Sequence, residues 1–269
     1  MGTEAGSYDY SSLEVDSTEL TRLRLQAQVV KGLEIKGLTD HGLTEGMDVL
    51  DIGCGPGFIT QIIADLAGTG AVTGIDLNDD LLEVANKELD RSTHPNLTFK
   101  KGNIYELGTL GQKFDFVYSR FVFQHLEHPQ RAVEQIFQVL KPGGRLMVID
   151  VDDAWVSLYP ENDTFETIVT RQREHQKGVG GDRYIGRKLF NMFRNAGLDK
   201  MQVEAVTLSS VMLGMENFLD LTTGYKVVFL NDTDASISQD MVDEMKRDCG
   251  DGNHLGLVAI LATSGCRPS

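Results

Sequence analysis

Gly53, Gly55 and Gly57 stand at alternate positions between the apolar run Val49-Leu50-Asp51-Ile52 and a stretch in which Ile59, Ile62, Ile63 and Leu66 recur at helical spacing. Glycine leaves the backbone bare and accepts the positive φ of a tight turn, so a ligand can come into contact with the main chain there. Pro56 presets a φ suited to a helix start, and the helix beyond offers N–H groups that it cannot satisfy internally. Asp76 closes the next apolar run, Ala71-Val72-Thr73-Gly74-Ile75. A carboxylate at a strand tip can accept bonds from both hydroxyls of a ribose, or instead cap the helix that follows. Together these residues describe a seat for a nucleotide-like ligand at the carboxyl edge of a parallel sheet.

The elements that must position this seat follow from hydrophobic patterning. Short runs of β-formers predict strands ending at Ile52, at Asp76, before Asn103, at Arg120 and at Asp150. Leu81, Leu82, Ala85 and Leu89 keep helical spacing after Asp76. Phe58 occupies the place of the third glycine in the dinucleotide fingerprint G-x-G-x-x-G, which disfavours a dinucleotide.

The turn Gly53-Cys54-Gly55-Pro56-Gly57 behind Asp51, the acidic strand end at Asp76, and Leu140-Lys141-Pro142-Gly143-Gly144 before the fifth strand occur in one order across residues 45–150. In that order they resemble the motifs of the class I S-adenosylmethionine-dependent methyltransferases, of the small-molecule type. The resemblance implies an α/β, Rossmann-like fold: a doubly wound, mostly parallel sheet of seven strands, the last antiparallel, with helical cap insertions. It implies S-adenosyl-L-methionine as cofactor, leaving as S-adenosyl-L-homocysteine. It assigns cofactor binding to Asp51, Gly53, Cys54, Gly55, Asp76, Leu77, Asn103, Ile104, Ser119 and Arg120, with Gln28 on a preceding helix near the methionine end. Many members carry Asp where Asn103 stands. An asparagine carbonyl still accepts from the adenine N6 amine, and the Ile104 N–H can donate to a ring nitrogen.

A methyl group on a sulfonium is already activated, so transfer needs an acceptor lone pair held in line with water excluded. Alignment alone can supply roughly 7 to 11 kcal/mol in favourable cases, which makes a strong base optional. His125, just past the fourth strand, is the candidate base. Tyr118 and Arg120 are candidates to orient the acceptor, and Asp152 and Asp153 to bind a cationic one. Ser119-Arg120-Phe121-Val122 is not the Asn/Asp-Pro-Pro-aromatic signature of enzymes acting on exocyclic nucleobase amines, and no acidic cluster matches the metal-dependent catechol type. The expectation is therefore metal-independent transfer to an oxygen or nitrogen of a small molecule, with a carbon acceptor left open. A protein methyltransferase and a non-catalytic cofactor-binding protein are the alternatives, and a nicotinamide-dependent oxidoreductase a more distant one.

Composition sets limits. A formal charge of −15 over 269 residues, without a Lys/Arg cluster, disfavours a nucleic-acid partner, because phosphate-backbone binding needs a basic surface. Arg171 and Arg173 are expected on solvated helix faces. Cys54, Cys249 and Cys266 form no C-x-x-C pair or zinc spacing, so neither a disulfide framework nor a metal site is expected. Residues 1–16 are polar and acidic, and no membrane segment is visible, so a cytoplasmic protein is expected.

Domain organisation follows the same reading. Residues 1–45 are expected to form a helical cover, with Tyr8 and Tyr10 ahead of a helix starting near Ser17, and 46–150 the cofactor-binding core. The stretch 151–182 is too long for a simple connection and reads as a cap or lid. Residues 183–269 complete the core with a helix, a sixth and a seventh strand, interrupted by a helical insertion at about 210–250 that includes Gly214–Leu230 and Ser238–Cys249.

Overall fold

The computed structural model describes residues 17–224 and 237–269, except the side chains of 17–19, 21–23, 25–26, 28–30 and 224. Tyr8, Tyr10 and the end of the expected helix Gly214–Leu230 lie outside the described residues.

Helix α1 (Ser17–Asp40) leads into β1 (Val49–Ile52), α2 (Phe58–Ala67), β2 (Val72–Asp76), α3 (Asp79–Glu88) and β3 (Leu97–Lys101). A 3-10 turn (Ile104–Leu110) precedes β4 (Phe114–Arg120), α4 (Pro129–Val139) and β5 (Leu140–Val151). Then come β6 (Ser157–Tyr159), α5 (Asp163–Gly178), α6 (Gly186–Asn195), β7 (Asp199–Ser209), α7 (Ser210–Leu213), α8 (Met215–Leu219), α9 (Gln239–Cys249) and β8 (Leu255–Cys266).

The sheet runs β3-β2-β1-β4-β5-β8-β6, with β7 on the free side of β8. The pairs β1/β2, β1/β4, β2/β3 and β4/β5 are parallel, whereas β8 is antiparallel to β5, β6 and β7. This is the expected doubly wound sheet with one addition. The short β6 extends the β5 side of β8, pairing Leu158 with Gly256 where β5 has already ended.

Strand alternation divides the core. Leu50, Ile52, Val117, Leu146 and Val148 face α4 and α6, packing on Val133, Ile136, Leu189 and Phe193. Val49, Phe116, Tyr118, Met147 and Ile149 face the other way, against Leu38 of α1, Ile63 and Ala67 of α2, and Leu82 and Ala85 of α3. Each such buried side chain contributes roughly 1.5–3 kcal/mol of burial free energy. A third apolar cluster lies apart from both, joining Leu158 of β6, Phe165, Ile168 and Val169 of α5, Phe218 and Leu219 of α8, and Val242 and Met245 of α9. Among the described residues no helix is long and apolar enough to cross a membrane.

Candidate active site

The β1–α2 turn takes the conformation its glycines permit. Gly53, Gly55 and Gly57 have φ of 72°, 52° and 80°. Two of them also answer to crowding: a Cβ on Gly53 would lie 2.2 Å from Val122 Cγ2, and one on Gly57 2.4 Å from Phe99 Cζ. Gly55 differs, since among the described residues no atom beyond its chain neighbours lies within 4 Å of where its Cβ would be. Its backbone borders open space, as a cradle for a ligand requires. No side chain caps the start of α2, so its first-turn N–H groups are available beside that space.

Asp76 ties the turn to the tip of β2. Its Oδ2 accepts the Gly55 N–H at 2.9 Å and its Oδ1 the Asn78 N–H at 2.9 Å, with the Leu77 N–H also directed at the carboxylate. Burial raises its pKa, and these three N–H groups oppose the shift. Each carboxylate oxygen has a further lone pair for a hydroxyl. The alternative role as cap of the next helix falls to Asn78, whose side chain accepts from the Asp80 and Leu81 N–H groups. One strand over, Asn103 Oδ1 accepts the Tyr105 N–H at 2.9 Å and so starts the 3-10 turn, retaining one acceptor position. Ile104 is the first residue of that turn, where an N–H has no partner within the turn itself.

On the other side of β1, the Asp51 side chain is buried and accepts the Thr60 hydroxyl at 2.7 Å. Burial pushes its pKa up to about 7; the Glu34 and Asp76 carboxylates push the same way, and Thr60 and Arg120 oppose. Arg120, ending β4, has its Nε buried without a hydrogen-bond partner among the described residues. That nitrogen stands 3.4 Å from Glu34 Oε2, and the guanidinium lies over the Phe121 ring at 4.6 Å. Phe121 has φ 58°, a strained value for a bulky residue and a common mark of functional sites.

Some expected residues take different places. Ser119 is fully buried and its hydroxyl donates to the Ile52 carbonyl at 3.1 Å, so it braces β4 against β1 from beneath the turn. Cys54 is buried, and burial lifts its thiol well above the ordinary range; it packs close to Gly74. Gln28 lies on α1, with its side chain outside the described residues. Tyr118 does not reach an acceptor: its ring is fully buried toward α1 and its hydroxyl donates to Glu34. Glu34 escaped sequence reasoning. Its signal was a charge at helical spacing among buried positions, between Ala27 and Leu38.

Past β4, the 3-10 turn Phe123–His125 is held by Asp150 at the end of β5, whose carboxylate accepts the Gln124 N–H. Asp150 is fully buried, and burial pushes its pKa up to about 7 against the Val151, Gln124 and Phe123 N–H groups and Arg183. His125 Nδ1 lies 3.0 Å from the Gln176 amide nitrogen, which also donates to the Gln124 carbonyl at 3.0 Å. The second bond fixes which end of the amide is nitrogen. Nδ1 must therefore accept, leaving the proton of the neutral ring on Nε2. Burial, with Arg183 adding to it, pushes the His125 pKa down to about 3.

The acidic pair after β5 is already occupied. Asp152 accepts Arg187 Nε at 2.6 Å, and Asp153 takes Arg183 in a fork at 2.9 and 2.8 Å, with Arg183 also reaching Gln124. Neither is left to bind a cationic acceptor. Arg173 belongs to this network too, donating to the Asp153 carbonyl and lying 5.7 Å from the Tyr184 ring, rather than on a solvated face. Among the described residues no group of His, Cys, Asp or Glu side chains is arranged to hold a metal ion.

Comparison with known proteins accords with this geometry. A methyltransferase-domain family profile matches residues 43–197. The demethylmenaquinone methyltransferase of Symbiobacterium thermophilum is 27% identical over 62% of this chain and 74% of its own length. The arsenite methyltransferase of Aquipseudomonas alcaligenes is 34% identical over 43% of this chain and 36% of its own. The chain spans about half or less of the length of several other curated relatives. A solved phosphoethanolamine N-methyltransferase 2 of Haemonchus contortus, in complex with S-adenosyl-L-methionine, superposes with a TM-score of 0.55 at 19% identity, covering 88% of this chain and 53% of that one, a likeness of fold. With the profile covering more than half of its residues, the chain belongs to the class I methyltransferases, enzymes whose cofactor is S-adenosyl-L-methionine.

Proposed function

We propose that this chain transfers the methyl group of S-adenosyl-L-methionine to an oxygen or nitrogen atom of a small molecule, mainly by alignment and without a metal. The cofactor's place is supported by strand order. Adenine is assigned to Asn103 and Ile104 beyond β3, ribose to Asp76 on β2, and the open space at Gly55 lies over β1. The methionine end then extends toward β4, where Arg120 faces its carboxylate and Asp51 its cationic groups. When bound, the cofactor supplies an activated methyl on a sulfonium.

The observation that carries the transfer mode is the state of His125. A ring with a pKa near 3 and Nδ1 already accepting a bond is a poor general base at neutral pH. In this reading the ring stays neutral and is not the base. The helices around Phe165 and Phe218 form the cap over this side, and their apolar packing supports a small acceptor shielded from water. The names of the relatives, which act on a quinone precursor and on arsenite, support small-molecule acceptors in this family. The net charge of −15 supports a partner other than nucleic acid, and three free cysteines support a cytoplasmic setting.

The test is incubation of the protein with isotopically labelled S-adenosyl-L-methionine and a metabolite extract. Mass spectrometry should then find a labelled small molecule heavier by one CH₂, with the label on oxygen or nitrogen. Label on carbon would overturn the acceptor atom, and label only in macromolecules would overturn the small-molecule reading.

A further inference from the structure

Helix α1 packs across the face of the sheet that carries Tyr118 and Met147. Near its start, Arg24 lies 5.2 Å from the ring of Phe58, the first residue after the glycine turn, and pairs with Glu88 at the end of α3 at 2.8 Å. Just past its end, His41 Nδ1 meets Ser264 of β8 at 2.8 Å. Between these anchors Glu34 is 5% exposed and enters a pocket of polar groups at the tips of β1 and β4. It accepts the Tyr118 hydroxyl, and its Oε2 stands 3.4 Å from Arg120 Nε. Tyr118 and Arg120 share strand β4 and point toward the same helix, so this carboxylate constrains both.

A buried carboxylate is costly unless it is paired. Here the pairing leaves work undone, because Arg120 Nε makes no hydrogen bond among the described residues and its guanidinium is otherwise held only by the Phe121 ring. Arg120 is thus aimed by charge on one side and by an aromatic face on the other, with its Nε donor in no hydrogen bond among the described residues. That arrangement suits a cation that must meet an incoming carboxylate in one orientation. We propose that Glu34 is a positioning residue that aims Arg120 at the carboxylate of the cofactor's methionine end. The inference rests on the placement of the methionine end at Arg120 given above.

Glu34 also acts on Asp51. That carboxyl is surrounded by Glu34 from α1, Thr60 from α2, Asp76 from β2, Arg120 and Tyr118 from β4, and the Cys54 thiol in the turn. Of the carboxylates that crowd it, Glu34 is the nearer in influence, so its loss lets Asp51 ionise at lower pH.

The experiment measures binding of S-adenosyl-L-methionine and of adenosine to the full chain by calorimetry across the neutral range, for the wild type, Glu34→Gln and Tyr118→Phe. Adenosine occupies the base and ribose positions but has no methionine end. Glu34→Gln should weaken S-adenosyl-L-methionine about tenfold, the loss of one charge-assisted contact, and leave adenosine within about twofold. Its affinity profile should also keep its plateau to lower pH than the wild type. Tyr118→Phe, which keeps the Glu34 charge, should show a smaller loss with the same selectivity and no shift of the profile. Equal weakening of both ligands, or an unchanged affinity for S-adenosyl-L-methionine, overturns the positioning role. A wild type that binds adenosine but not S-adenosyl-L-methionine overturns the placement of the methionine end, and this inference with it.

Discussion

At the carboxyl edge of β1 and β2 the decisive contacts run through main-chain atoms, whereas in the layer of β6, α5, α8 and α9 they run through side chains. Asp76 holds the glycine turn by the N–H of Gly55, and Gly53 and Gly57 leave no room for a Cβ beside Val122 and Phe99. In the other layer, Phe165 and Phe218 stack with centroids 6.3 Å apart, and Leu158, Val169 and Met245 close around them. A backbone constraint admits few residue types. Apolar packing admits many, provided that volume and pattern are kept. The two regions therefore differ in how they can be changed: the apolar layer tolerates exchanges that keep its volume, whereas the glycine turn does not tolerate an added side chain at Gly53 or Gly57.

The largest expected effect breaks the apolar layer of β6, α5, α8 and α9. Phe165→Ala removes a fully buried ring and should cost about 3–5 kcal/mol of stability by denaturant unfolding. If the two regions are separable, the affinity of the folded variant for S-adenosyl-L-methionine stays within about twofold of the wild type. A loss at both regions together would join them into one unit.

Gly55→Ala probes the edge itself. The methyl group meets open space, so its cost to the fold is the left-handed backbone alone, roughly 1–2 kcal/mol. Cofactor affinity should nevertheless fall about tenfold or more, because the same methyl intrudes where the ligand sits. Gly53→Ala makes the contrast, adding a clash with Val122 that should damage the fold as well. Unchanged cofactor binding in Gly55→Ala would place the ligand elsewhere.

The smallest effect lies between the regions, at His125. With its pKa near 3 the ring keeps one charge state across the neutral range, so the turnover profile should show no acid limb from this group. His125→Gln should reduce turnover by less than about tenfold. A loss of about a hundredfold or more, the size of a general-base contribution, would restore His125 as the base.

Legibility followed the same division. Gly53, Gly55 and Asp76 were readable because few residues satisfy a positive φ, a close approach and a strand-tip carboxylate at that spacing. The positions of the strands were readable from short runs of β-formers, and the doubly wound sheet that joins them from the resemblance to the class I methyltransferases. Ser119 and Tyr118 were assigned to ligands because their position past the sheet centre was known but their direction was not. The pairing of Asp152 and Asp153 with Arg187 and Arg183 was hidden for another reason. Those partners lie about 30 residues away on a segment whose course no local pattern specifies.

The sequence by itself determined the strands and the glycine turn, because each depends on local backbone geometry and hydrophobic period, and its resemblance to the class I methyltransferases carried the cofactor class. Only the tertiary structure decided which charges remain available. Burial and neighbours shifted the titration of Asp51, Asp150 and His125, folding paired Asp152 with Arg187 and Asp153 with Arg183, and it brought Glu34 of the first helix to Arg120 at the end of β4. Such electrostatics depend on distances between residues far apart in the chain, and these exist only once the chain has folded.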